Sequence, residues 1–120
     1  LILKKRYTLL KFLESLDSNT EIIGFGASHS TTTLIYEFNL IKKISYLIDD
    51  NNSKHNKFSP GLKLKVLKPS EINMNKKSYG TIVIILAWQH SQTILKKYLK
   101  FFLSNKIKVI LPLPKLTIHE

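Results

Sequence analysis

Gly24 and Gly26 stand at the end of an apolar run, and Ala27-Ser28-His29-Ser30 follow them directly. A glycine pair in that setting allows a tight turn and lets the backbone approach a phosphate. The free N–H groups and the dipole of a following helix favour an anion at the same place. Position 29 would hold the third glycine of a dinucleotide fingerprint, but it is histidine, whose side chain would crowd a pyrophosphate against the helix. Asp49 and Asp50 lie about where an acid would hold a ribose hydroxyl. The pattern fits a phosphate, a carboxylate or a sugar hydroxyl better than a whole dinucleotide. A G-x-G after a strand also serves as a plain strand-to-helix turn, and that alternative stands beside the binding one.

Trp88, Gln89 and His90 form the second group. An indole at the carboxyl end of a strand stacks on a sugar or base, or packs under a neighbouring loop. His29 and His90 each follow a strand closely, where an imidazole serves as a general base, a ligand-binding donor or simply a solvated residue at a helix start. Neither is assigned a catalytic role. Ser28, Ser30 and Thr31 to Thr33 bring hydroxyls, yet there is no Gly-x-Ser-x-Gly elbow for a hydrolase and no Walker lysine for nucleoside triphosphate chemistry. With no cysteine and no well-placed carboxylate beside the two histidines, no metal site is expected.

These residues need elements to position them. Leu3, Tyr7, Leu10, Leu13 and Leu16 recur at helical spacing, which predicts a leading helix within residues 1–18. "EIIGF" reads as a buried strand and "SHSTTTLIYEF" as a helix with Ser28 as its N-cap. "KISYLIDD" is a second strand, "NNSKHNKFSPG" a loop closed by Pro60-Gly61, and "LKLKVL" a short third strand. Pro69 with "SEIN" gives a helical turn. "TIVIILAW" has no polar alternation after Thr81 and so predicts a strand buried on both faces. "SQTILKKYLKFFLSN" is amphipathic, with Ile94, Leu95, Tyr98, Leu99, Phe102 and Leu103 on one face. "KIKVILPLP" closes as a last strand and "KLTIHE" as a tail. Alternating strands and helices imply an α/β fold: a small doubly wound, mostly parallel five-stranded sheet with helices on both faces, Rossmann-like. Ligands of such sheets sit beyond the carboxyl ends of the strands, where the strand order reverses.

A chain of 120 residues suits one domain, 1–120. Its first residue is Leu1, which suggests a piece of a longer protein. No apolar run approaches the roughly 20 residues that span a membrane, and nothing at the N-terminus reads as a signal peptide, so a cytoplasmic location is expected. The net charge of +11 arises from 19 basic residues, 18 of them lysine, against 8 acids. The lysines are scattered and not interleaved with aromatics, and lysine is poorer than arginine at bidentate recognition; a solvated basic surface is favoured over a nucleic-acid partner.

Five segments together carry a resemblance: "GFGAS" at 24–28, "LIDDN" at 47–51, "KHNKFSPGLKLKVLKPSEI" at 54–72, "ILAWQHSQTI" at 85–94 and "VILPLP" at 109–114. In this order the chain resembles the C-terminal domain of S-adenosylmethionine-dependent sugar C-methyltransferases, which act on nucleotide-linked deoxysugars. The resemblance implies that S-adenosylmethionine and the catalytic base belong to an upstream domain, joined through the leading helix. This domain would bind no cofactor itself and would close over the substrate. The substrate-side residues implied are Gly24, Gly26, Ala27, Ser28, His29, Ser30, Asp49, Trp88, Gln89 and His90, and the partners are a nucleotide-sugar or another polar anion and the methyltransferase domain. Ser30-Thr31, Gln89 and Lys115 depart from the family's pattern, which would place a basic and a small residue, an Asn and a Glu there. "IIGFGASHS" with "LIDDN" also looks like the N-terminal nucleotide-sugar-binding domain of sugar O-acyltransferases, and a free-standing binding or regulatory domain of that kind is the alternative. Nothing here resembles the hexapeptide repeats that would follow it.

Overall fold

The apolar runs of the sequence become adjacent strands of one sheet. The computed structural model describes residues 2–59, 61–72 and 80–120, with the side chains of Ile2 and His29 outside that description. The described strands are β1 (Glu21–Phe25), β2 (Tyr46–Ile48), β3 (Val66–Leu67), β4 (Thr81–Ile85), β5 (Ile107–Leu111) and β6 (Thr117–His119). They form one sheet in the order β3-β2-β1-β4-β5-β6. All neighbours are parallel except β5 and β6. The expectation of an α/β fold with a mostly parallel sheet is met, and the count is corrected from five strands to six.

The sixth strand comes from the segment expected to be a tail. Thr117 to His119 pair antiparallel with Val109 to Leu111, and Lys108 and Glu120 add an ion pair of 3.1 Å. Without this strand β5 would present an open edge, and β-branched Thr117 and Ile118 suit the pairing. The third strand is shorter than "LKLKVL" suggested. Residues 56–59 fold back on 64–66 through bonds from Asn56 N–H to the Val66 carbonyl, Val66 N–H to Lys57 and Ser59 N–H to Leu64. That local pairing leaves only Val66 and Leu67 on β2.

Side chains alternate across the sheet, so strands β1 to β5 feed two cores. Ile22, Leu47, Val66, Ile82, Ile84 and Ile110 face α1 (Ile2–Glu14) and α2 (His29–Glu37). Ile23, Phe25, Ile48, Val83, Ile85, Val109 and Leu111 face α3 (Ser91–Ser104). Every residue of β1 and β4 is buried, as the unbroken apolar run of β4 required. Helices therefore cover both faces. Ile94 and Phe102 of α3 are buried, with Leu95, Tyr98 and Leu99 packed beside them, as the amphipathic pattern indicated.

The leading helix buries a different stripe from the expected one. Leu9 and Leu13 enter the core, while Leu3 and Tyr7 remain 65% and 62% exposed. Leu10, Phe12 and Leu16 pack at the margin. Two overlapping leucine rows run along this helix, and Leu9 is buried in the same apolar cluster as Ile35 and Phe38. Helix α2 ends at its cap Phe38, and Asn39 just beyond takes φ 56°; Asn39 N–H bonds to the Tyr36 carbonyl and Leu40 N–H to that of Ile35. These two bonds are the Schellman ending, and fully buried Leu40 supplies its apolar contact. The turn at Pro69–Glu71 is 3-10, held by Lys68 N–H on the Glu71 carboxylate at 2.9 Å. Pro60 of the expected Pro-Gly turn and Asn73 of "SEIN" lie outside the described residues. Among the described residues no helix is long and apolar enough to cross a membrane.

Candidate functional site

β1 and β4 run in register, so that Phe25 and Ile85 end side by side. After β1 the chain enters a helix on one face, and after β4 a helix on the other. The strand order reverses between them, and the diverging exits leave an open crevice of about 400 Å³. Gly26, Ala27, Ser28 and Ser30 form one wall, and Trp88, Gln89 and His90 the opposite one. Asp49, Asp50, Asn51 and Lys54 come from the end of β2, and Thr93, Ile94 and Lys97 from the first turns of α3.

The glycines have their own reasons. Gly24 lies inside β1, away from the crevice, and a Cβ there would stand 2.5 Å from Leu86 Cδ1 and 2.8 Å from Leu47 Cδ2. Those leucines fill the space that its missing side chain leaves. Gly26 has φ +122°, and its Cβ would meet Ala87 Cβ and Thr31 Oγ1 at 2.9 Å. The loops after β1 and β4 touch at this point: Leu86 and Ala87 both donate to the Phe25 carbonyl at 3.0 Å, and Gly26 N–H donates to Ile48 at 2.8 Å. Packing thus accounts for both glycines, whatever ligand the turn receives.

Ser28 is the N-cap of α2, its Oγ accepting from Thr31 N–H at 3.3 Å and lying 3.0 Å from the Ser30 hydroxyl. First-turn N–H groups have no intrahelical acceptors, so this end of α2 presents donors to the crevice it lines. His29 begins α2, and its side chain is outside the described set.

Asp49 is largely buried, with 14% side-chain exposure. Its Oδ2 accepts from Ala27 N–H at 3.0 Å and its Oδ1 from Asn51 N–H at 2.9 Å, so the acid splints the glycine turn to the end of β2. Lys54 Nζ stands 3.9 Å from Oδ2. His55 Nε2 donates to the Asp49 carbonyl. Asp50 points the other way and meets Lys97 Nζ of α3 at 3.1 Å. The hydrogen bond that Lys97 donates to Asp50 holds the ammonium pKa above its ordinary value. Burial, and then the charge of Asp50, raise that of the neighbouring Tyr98 phenol.

A family model described as the C-methyltransferase C-terminal domain matches residues 2–114. The chain belongs to that family. The expectation drawn from the five sequence segments is borne out at this level. No curated protein matches the chain.

In this C-methyltransferase C-terminal domain, the residues that sequence singled out converge on the crevice, apart from Gly24 in the strand and the undescribed His29 side chain. Trp88 is 38% exposed, and Gln89 and His90 beside it are also exposed, so this wall offers an indole face and two polar groups to solvent. Sequence reasoning had not assigned Lys54, Thr93 or Lys97 to the site. The signal was helical phase: Thr93, Ile94 and Lys97 follow His90 at three-, four- and seven-residue steps, one face of α3. The crevice combines ammonium and helix N–H donors for an anion, two carboxylates for hydroxyl groups, and an aromatic face. Among the described residues no group of three or more His, Asp or Glu side chains could hold a metal ion.

Proposed function

We propose that this domain is the substrate-side, Rossmann-like part of an S-adenosylmethionine-dependent C-methyltransferase acting on a nucleotide-linked sugar. The observation that carries the reading is the crevice itself, set where the strand order reverses and lined by hydroxyls, acids, lysines and Trp88. The N-terminus of α2 with Ser28 and Ser30 receives a phosphate or sugar oxygen. The lone pairs of Asp49 not taken by Ala27 and Asn51 accept from a sugar hydroxyl. Trp88 stacks on the base or ring, with Gln89 and His90 as hydrogen-bonding neighbours. The methyl donor and the proton-transfer groups belong to an upstream domain, and S-adenosylmethionine supplies the methyl group there; this chain binds and orients. The same reading makes the protein cytoplasmic.

The test is a ligand titration followed by NMR on the 120-residue chain, with dTDP, a dTDP-sugar, NAD and S-adenosylmethionine at two salt concentrations. Saturable shifts at Ser28, Ser30 and Trp88 are expected with the dTDP ligands alone. Trp88→Ala should weaken the dTDP-sugar about ten-fold, since stacking of a base on an aromatic ring contributes roughly 1–3 kcal/mol. Binding of NAD or S-adenosylmethionine in the crevice, or of dTDP ligands away from it, would overturn the assignment.

A further inference from the structure

The two ion pairs of the crevice differ in kind. Asp49 is fixed, because backbone N–H groups of Ala27 and Asn51 occupy both of its oxygens and little of it meets water. Lys54, at 3.9 Å, stands beside a carboxylate that is already committed. The Asp50–Lys97 pair instead joins the end of β2 to α3 across the crevice, with 43% and 61% of the two side chains exposed. The described hydrogen bond of the Asp50 carboxylate is the one to Lys97. An exposed pair of this sort is held weakly and exchanges its partners at little cost.

We infer that Asp50 is an intramolecular stand-in for a ligand anion on Lys97, released more readily by a ligand that carries both an anionic group and a hydroxyl than by a bare anion. This deepens the proposed binding role of the crevice and rests on it. An anion that takes Lys97 leaves the Asp50 carboxylate unpaired within a few ångströms of a like charge, which opposes binding. A ligand hydroxyl removes that penalty by donating to the freed carboxylate. A fully deprotonated anion such as sulfate has no such donor to offer. The crevice therefore selects hydroxyl-bearing sugar phosphates over sulfate although the surrounding surface, at net charge +11, attracts both. Lys97 supplies the attraction and Asp50 the discrimination.

The experiment measures affinities of the full chain and its variants for sulfate, glucose 1-phosphate and dTDP-glucose. In Asp50→Asn, sulfate should bind about two- to five-fold tighter and glucose 1-phosphate weaker by a similar factor, the scale of an exposed ion pair. Lys97→Gln should weaken both, and the gain of Asp50→Asn for sulfate should vanish in the double variant. Glu14→Gln, an exposed site on α1, makes the same change in net charge and should leave the ratio of the two affinities unaltered. The inference is overturned if Asp50→Asn moves both ligands in the same direction or neither, if its gain survives Lys97→Gln, or if Glu14→Gln reproduces it. Should sulfate and glucose 1-phosphate behave as stated while dTDP-glucose fails to bind the unaltered chain, Asp50 keeps this role and the nucleotide-sugar reading falls.

Discussion

Replacing Gly26 by alanine separates a turn built for packing from one built for a phosphate. The backbone at Gly26 has φ +122°, where an L side chain is strained, and the added Cβ would sit 2.9 Å from Ala87 Cβ and Thr31 Oγ1 and 3.1 Å from Ala87 N. Backbone strain of this kind costs about 1–2 kcal/mol, and forcing apart packed atoms about 1–3 kcal/mol. The sum is ~2–5 kcal/mol, against a total stability on the order of 6–18 kcal/mol for a chain of this length. We expect Tm to fall by roughly 8–20 °C, read by circular dichroism, with a matching drop in the urea midpoint. Gly61→Ala is the reference: φ there is +73°, but the nearest atom, Thr32 Cγ2, is 4.0 Å from the new Cβ, so it carries the backbone cost alone. The loss at Gly26 should exceed that at Gly61 by about 1–3 kcal/mol. Equal losses would refute the close-approach reasoning. A stability loss no greater than at Gly61, joined to a loss of dTDP-sugar binding, would show that the turn is shaped for the ligand.

Two further outcomes follow from the acids. Asp49→Asn keeps one acceptor oxygen and turns an NH2 toward either Ala27 or Asn51 N–H, and it should cost about 1.5–3 kcal/mol in urea unfolding, with amide shifts at both residues; a loss below about 0.5 kcal/mol would show that the splint is immaterial. Asp50 is the largest cause that holds the Lys97 pKa above its ordinary value, so NMR titration of the Lys97 side chain should show that elevation, and Asp50→Asn should reduce it. The pair stabilises the folded chain below the ordinary lysine value and loses that effect as pH rises through the raised one, so the stability difference between the two proteins should be flat through neutral pH and shrink only in strong alkali.

The parts of the fold that sequence revealed are those with strong, sustained patterns. The apolar run of β4 could only be a doubly buried strand, and α3 carried one clean face. Ser28 announced the start of α2. The misread parts depend on tertiary choices. Helix α1 has leucines on several rows, so periodicity named a helix without settling that Leu9 goes inside and Leu3 and Tyr7 outside. The three residues of β6 are too few to show alternation, and their pairing depends on the open edge of β5. At the site, the glycine turn and the Trp88 strand end were legible because both follow strands, and parallel strands bring their carboxyl ends together. Lys97 was not, because its partner Asp50 is 47 residues away in sequence and meets it only once α3 has packed.

The crevice has one fixed wall and one adjustable wall, and that division bears on how a binding domain of this family would work. On the β1 side, Gly26 is wedged against Ala87, Ala27 N–H is held by Asp49, and Ser28 caps α2; moving any of them breaks several contacts at once. On the β4 side, Trp88, Gln89 and His90 stand exposed on a single 3-10 turn, where rotamer changes cost little. Preorganised donors bind an anion without paying for reorganisation, whereas an exposed indole can follow the shape of whatever the anion is attached to. On the proposed binding role, the constant anionic part of a ligand family lies between the N-terminus of α2 and Lys97, and the variable part against Trp88. Changes to Ser28 or Ser30 should weaken all ligands alike, and changes to Trp88 or Gln89 should reorder them. A Trp88 variant that weakened inorganic phosphate as much as a dTDP-sugar would break that division.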